Sequence, residues 1–201
     1  MSQFDPLCVF VEKVLLAVNR PVTKQSVDDT LSAQERNEVG RLMRINHVGE
    51  VCAQGLYLGA EYAARDKKIQ KVMSDAREEE VPHMTLLERR LGQLEGRVSY
   101  GLPIWYSASF GLGYIAGIAG DDWSLGFVAE TERQVAKHLE DHLSKIPDHD
   151  QESRLILEAI LADEMAHQHE AEHHGARILP QWVRNGMACA AELMRQVVYR
   201  V

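Results

Sequence analysis

Glu80-Val81-Pro82-His83 and Glu164-Met165-Ala166-His167 set the architecture of this chain. Each is a Glu-x-x-His tetrad inside a strongly helical stretch. Residues three apart on a helix are neighbours on one face, so each tetrad offers a carboxylate and an imidazole to one cation. A lone glutamate precedes each tetrad by a similar interval: Glu50 lies 30 residues before Glu80, and Glu132 lies 32 before Glu164. The chain thus reads as two helical hairpins of one plan, each giving a single Glu and then a Glu-x-x-His. Four carboxylates and two imidazoles meet only if the four helices pack as one all-α bundle. That donor set suits a dinuclear metal site in the bundle core. One tetrad alone would say little; the shared order and near-equal spacing carry the argument.

The 201 residues suit a single domain, 1–201, with a sizeable core. Hydrophobic residues at 45% and charged residues at 26% are ordinary for a helical protein with a wet exterior. The formal net charge of −8 argues against nucleic acid as a partner, because phosphate backbones need a basic surface. Cys8, Cys52 and Cys189 are scattered and odd in number, which predicts reduced thiols in a cytoplasmic setting. The N-terminal MSQFDPLCVFVEKVLL lacks a basic region before its apolar stretch, so no signal peptide is expected.

Phe4, Leu7, Val11, Leu15 and Val18 predict a short amphipathic helix over 4–18, ended by Pro21. Ser32 and Glu35 form a capping-box signature. The first bundle helix runs from there to about residue 65, with Met43, Asn46, Glu50, Ala53, Tyr57 and Ala60 inward. The second covers about 67–91, with Val72, Met73, Ala76, Glu80, His83, Leu87 and Leu91 on one face; Gly92 and Gly96 then mark a turn. A third begins at Asp121 or Asp122 and runs to about 145. A fourth covers about 150–178 and stops before Pro180. The bundle core is therefore about 33–178. Trp182, Val183, Met187, Leu193 and Val197 predict an extra amphipathic helix over about 181–200, with these residues near one face.

Most helical glutamates face water. The candidates differ because each lies on an apolar stripe. Met43, Ala53 and Tyr57 flank Glu50; Met73, Ala76, Met84 and Leu87 flank Glu80; Leu157, Ile160, Leu161 and Ala171 flank Glu164. An unpaired charge there would be costly, and metal coordination removes the cost. Glu132 has Val128, Ala129, Val135 and Ala136 around it, whereas Glu130 has Arg133 and Gln134 ahead. Glu132 is therefore the chosen ligand, with Glu130 in reserve. His83 and His167 stand out from the other histidines by their spacing from a stripe Glu. His142, His149, His173 and His174 read as surface residues. His47, three before Glu50, is a candidate to support the ligands, and His138 a candidate for the wall of a substrate channel. Glu79 and Asp163 immediately precede the tetrad glutamates and are candidates to accept from metal-bound imidazoles. Pro82 should kink the second helix.

Residues 98–120 carry no charged side chain: VSYGLPIWYSASFGLGYIAGIAG. A membrane span here would put the two hairpins on opposite sides of the bilayer, and the six ligands could not meet. The segment therefore reads as a crossover lying on the bundle or in the membrane interface, with Ile104, Trp105, Tyr106, Phe110, Leu112, Tyr114 and Ile115 as apolar contacts. Trp105 and Phe110 are the foremost candidates for membrane or substrate contact.

The donor set is that of ferritin-like di-iron or di-manganese bundles. More narrowly, the chain resembles the demethoxyubiquinone hydroxylase family. The matching segments are Arg44-Ile-Asn-His-Val-Gly-Glu50, Glu78-Glu-Glu-Val-Pro-His83, Phe127-Val-Ala-Glu-Thr-Glu132 and Ala162-Asp-Glu-Met-Ala-His167. Pro82 departs from the polar residue expected there. The resemblance implies two irons per chain in a carboxylate-bridged centre. It further implies O₂-dependent hydroxylation of a polyprenyl-benzoquinol ring in ubiquinone biosynthesis, and peripheral attachment to a membrane. With the reduced cysteines and no export signal, the expected place is the cytoplasmic face of the cell membrane, among other ubiquinone-biosynthesis proteins. The electron donor is left open. A ferritin-like iron-storage or peroxide-scavenging protein would use the same ligands, and is the alternative.

Overall fold

A computed structural model describes residues 30–200. The helix predicted over 4–18, and Cys8 with it, lies outside these residues. Six helices follow in order: α1 (Ala33–Ala63), α2 (Lys67–Gln93), α3 (Leu102–Ala119), α4 (Asp121–Leu143), α5 (Gln151–His173) and α6 (Gln181–Arg200). There is no strand among the described residues. Helices α1, α2, α4 and α5 form the bundle; α3 lies along α1, and α6 closes against α1 and α4.

Local chemistry fixes the ends. Ser32 and Glu35 close the predicted capping box on α1. Asp66 caps α2 by accepting from the Lys68 N–H at 2.8 Å. Asp121 accepts from the backbone N–H groups of Arg65 and Asp66, at 3.0 and 2.9 Å, and so ties the α1–α2 turn to the start of α4. Gly120 joins α3 to α4 at φ 144°, a conformation that favours glycine. The fourth bundle helix is shorter than expected. It stops at His173, and Gly175 at φ 94° turns the chain out before Pro180. Helix α2 runs unbroken through Pro82.

The bundle core has two apolar plugs. One gathers Val39, Leu42 and Met43 of α1, Leu87 and Leu91 of α2, Leu139 of α4, and Leu157 and Ile160 of α5. The other gathers Ala53, Tyr57 and Ala60, Ile69 and Met73, Leu125, Val128 and Ala129, and Ala171. On every bundle helix the candidate ligands fall between these two sets. The sequence thus builds a polar layer sealed by hydrophobic residues above and below. A buried clamp fixes the first hairpin to the second: fully buried Arg90 donates to Asp150 Oδ1 and Ser153 Oγ, both at 2.8 Å.

The crossover is a helix rather than an irregular connection. Its contact with α1 is backbone to backbone. A methyl group added at Gly59 would strike the Phe110 carbonyl, and one added at Gly113 would strike the Leu56 carbonyl. Tyr106 of α3 is buried in a second core with Ile45, Val48, Val51 and Leu58 of α1, Met84 of α2 and Val198 of α6. Among the described residues, no helix is long and apolar enough to cross a membrane.

Two sequence expectations need correction. His142 is buried, because its Nδ1 pairs with Asn46 Oδ1 at 2.8 Å on a helix remote in sequence. The expected apolar stripe of α6 divides. Val183 and Met187 face inward with Met194 and Val198, while Trp182, Leu193 and Val197 are exposed.

Candidate metal centre

Glu50 comes from α1, Glu80 and His83 from α2, Glu132 from α4, and Glu164 and His167 from α5. All six are buried. Glu80 stands between the two imidazoles: its Oε2 is 2.9 Å from His83 Nδ1 and its Oε1 is 3.2 Å from His167 Nδ1. Glu50 Oε2 lies 3.8 Å from the same His83 nitrogen. Donor atoms of Glu50, Glu80, His83 and Glu164 all lie within 4.8 Å of one another. Glu132 is in hydrogen-bond reach of Glu164 on the far side. The reserve candidate Glu130 points elsewhere, pairing with Arg133 at 2.6 Å and Arg184 at 3.2 Å in the α4–α6 groove.

The layer is electrostatically unfinished. Glu50 Oε2, Glu80 Oε1, Glu132 Oε2, Glu164 Oε2 and His167 Nδ1 are buried without a hydrogen-bond partner. Such orphans are costly singly, and here five cluster at one point. Burial, then the charge of Glu80, holds the Glu50 carboxyl well above its ordinary pKa. Burial and then the charge of Glu132 do the same for Glu164, and Glu132 is raised mainly by burial. Burial pulls Glu80 upward too, but the imidazoles of His167 and His83 beside it prevail and bring it to about 2. Burial disfavours both imidazolium forms. The neighbouring carboxylates outweigh it, lifting His83 to about 11 and His167 to about 9. Without a metal the layer holds three carboxyls toward their neutral form; ionising all four would need more positive charge than two imidazoliums supply. The oxygen-rich donor set with two imidazoles fits metal ions in that role.

The outward ring nitrogens are also held. His83 Nε2 lies 2.9 Å from Asp163 Oδ2, and His167 Nε2 lies 2.9 Å from Glu79 Oε2. The pairs cross: α5 steadies the histidine of α2, and α2 steadies that of α5. Each carboxylate fixes which nitrogen is left free to face inward. His47 turns away from the donors, its Nε2 3.2 Å from Glu88 Oε1.

One contact was not foreseen. The Tyr57 hydroxyl donates to Glu132 Oε1 at 2.6 Å. Tyr57 lies seven residues after Glu50 on the same face, so its placement was readable but its partner on α4 was not.

An apolar cavity of about 210 Å³ flanks the centre between α1, α3, α4 and α6. Gly49 and Thr131, next to Glu50 and Glu132 in sequence, are in its wall, with Cys52, Trp105, Phe127 and Met187. His138 lines it too, and burial brings its imidazole down to about 4. Trp105 is half-buried here. Phe110 is half-buried outside the cavity, stacked on Tyr114 and edge-on to Tyr62. The exposed large apolar side chains of α3 are instead Ile104, Leu112, Tyr114, Ile115 and Ile118.

With this geometry in place, comparison with known proteins narrows the reading. The family described as ubiquinone biosynthesis protein COQ7 matches residues 37–197. Proteins called 3-demethoxyubiquinol 3-hydroxylase are similar over the whole length. Those of Xanthomonas euvesicatoria pv. vesicatoria (strain 85-10) and Xanthomonas oryzae pv. oryzae (strain PXO99A) are 45% identical over 207 aligned positions, covering 100% of this chain and 95% of theirs. That of Xylella fastidiosa (strain 9a5c) is 44% identical with the same coverage. The bundle, its buried Glu/His layer and these matches together make this chain a member of the ubiquinone biosynthesis COQ7 family.

Proposed function

We propose that this chain is an O₂-dependent monooxygenase that hydroxylates the ring of a demethoxyubiquinol, a polyprenyl-methoxy-methyl-benzoquinol, in ubiquinone biosynthesis. Its two irons would be held by Glu50, Glu80, His83, Glu132, Glu164 and His167. The observation that carries the reading is the cluster of unpartnered buried donor atoms from four helices. The names of the full-length relatives support the hydroxylase activity over iron storage.

Iron held there would supply the oxygen activation that a closed-shell quinol and triplet O₂ cannot manage between themselves, and a separate reductant would supply the two electrons that take the second oxygen atom to water. The protein's part is geometric. Glu80 faces both imidazoles, with one carboxylate oxygen toward each. Glu50 and Glu132 complete the layer from α1 and α4. Asp163 and Glu79 hold the imidazole rings in one orientation, and Tyr57 holds Glu132. The apolar plugs keep bulk water from the centre, which limits loss of oxidant to side reactions. The quinol ring would lie in the cavity between α1 and α4, with Trp105 and Phe127 as apolar walls and neutral His138 as a hydrogen-bonding group for a ring oxygen.

A polyprenyl quinol partitions into lipid, so the enzyme draws it from a bilayer. The exposed residues of α3 and α6 suit a peripheral contact, with Ile104 at 71%, Ile115 at 65% and Trp182 at 75% exposure. The cytoplasmic face of the cell membrane is the proposed site. The decisive test is turnover of demethoxyubiquinol by iron-loaded protein under isotopically labelled O₂. The new hydroxyl should carry the label, and metal analysis should give two irons per chain. Label arriving from water would overturn the mechanism.

A further inference from the structure

A basic cleft of about 500 Å³ lies where the N-terminal half of α1, the α2–α3 turn and the last turn of α6 meet. Arg36, Arg41, Arg44, Arg97 and Arg200 line it, and among the described residues Glu95 is the one carboxylate in its wall. In a chain of net charge −8, this is a pronounced local reversal of sign. Glu95 pairs with Arg36 at 2.6 Å. Nearby Glu38 accepts from the Tyr199 hydroxyl at 2.7 Å. Arg41 lies over the Tyr199 ring at 5.0 Å, and Arg44 donates to the Arg97 carbonyl at 2.8 Å. Burial and the charges of Arg97 and Arg41 lower the pKa of Arg44. Arg41, Arg44 and Arg97 thus crowd one another in the cleft.

The cleft adjoins the apolar face of the molecule. The Arg97 guanidinium sits 4.8 Å over the ring of Tyr100, which is 74% exposed, and Ile104 follows one turn into α3. Guanidinium forks, an interfacial tyrosine and exposed aliphatic side chains occur here in the order that a lipid boundary presents: charged headgroup, interface, acyl chain. Resting on the membrane-surface reading above, we propose that this cleft is a cradle for the phosphate of an anionic phospholipid headgroup. It would fix the orientation in which α3 and α6 meet the bilayer. Arginine suits the role because its planar fork grips phosphate oxygens bidentately.

The test is flotation of the full chain with vesicles of phosphatidylcholine alone, and with vesicles containing added phosphatidylglycerol. The protein should favour the anionic vesicles, and roughly 0.5 M salt should abolish the preference by screening. Arg41→Gln with Arg200→Gln should weaken partitioning into anionic vesicles roughly thirtyfold, from two lost headgroup contacts. Binding to neutral vesicles should be unchanged. Arg41→Lys with Arg200→Lys should fall between parent and Gln variant, since the charge stays and the planar fork is lost. Arg97→Gln, at an exposed position, gives a second reading if the double variant does not fold. Equal binding of parent and Gln variants to anionic vesicles would overturn the proposal. So would loss of the preference to inorganic phosphate at matched ionic strength, which would make the cleft a site for a soluble anion. Turnover of a short-chain quinol separates the two readings. Vesicle preference without any turnover sinks the hydroxylase, and turnover without vesicle preference sinks the cradle.

Discussion

Glu130 and Glu132 are two positions apart on α4 and do different work. Glu132 faces the buried layer and Tyr57, while Glu130 ties α4 to α6 through Arg133 and Arg184. Glu132→Ala should lose at least half of the bound iron. Glu130→Ala should keep its iron and lose about 1 kcal/mol of stability, the scale of partly exposed ion pairs. Metal analysis beside urea unfolding would tell them apart, and equal iron content would refute the assignment. This difference was legible in the sequence because Val128, Ala129, Val135 and Ala136 surround Glu132 at helical spacing. The burial of His142 was legible and overlooked, since Leu139 at −3 and Ile146 at +4 put it on an apolar stripe; its partner was not, because only the fold brings Asn46 to its ring. Burial depresses His142 to about 3 and His138 to about 4, so both rings are neutral in the folded protein at ordinary pH. Unfolding exposes them with ordinary values near 6.5. The unfolded chain then binds more protons as pH falls below that value, and stability is lost on acidification from about 6.5 toward 4. Two such groups give at most about 2.7 kcal/mol per pH unit. The raised carboxyls and imidazoles of the metal layer pull the other way, so the readout is the rings themselves: the NMR shifts of both should stay flat from pH 8 to 5. Titration of either ring near 6.5 would contradict its burial.

At the scale of elements, α1 and α3 touch through glycine. Gly59→Ala should cost about 3 kcal/mol or more, because the added methyl meets the backbone of Phe110 and neither helix can yield cheaply. Gly186→Ala meets open space on α6 and should instead gain about 0.5–1 kcal/mol from helix propensity. Chemical denaturation of the two variants checks both signs. The same glycines made α3 hard to read. Gly, Ser and Pro weaken the helix signal, and the sequence gives no hint that the missing side chains make room for another backbone. The four bundle helices were easier, since their inward stripes repeat at helical spacing and three of them start at a capping side chain, Ser32, Asp66 or Asp150. Helix α6 misled because both its faces carry apolar residues; which face is covered depends on α1 and α4, not on local pattern. The end of α5 could have been found from Gly175, whose positive φ closes the helix five residues before Pro180.

For the whole molecule, the exposed residues of α3 separate membrane contact from catalysis. Ile104→Glu with Ile115→Glu should weaken liposome binding and turnover of a long-chain quinol, while a short-chain soluble quinol is turned over nearly as before. Equal loss with both substrates at unchanged liposome binding would show that these residues serve the fold. Trp105→Glu should damage both activities, since that side chain walls the cavity. The crossed pairs of Asp163 with His83 and Glu79 with His167 have a consequence in time. Synthesis delivers α1 and α2 well before α5 leaves the ribosome. During that interval Glu50, Glu80 and His83 share one hairpin, but the Asp163 that faces His83 Nε2 does not yet exist. On the di-iron reading, metal met early would find half of the donors and an imidazole held at one nitrogen alone. A centre able to handle oxygen would then be assembled only when the second hairpin closes on the first, and the nascent polypeptide would be spared its own oxidant.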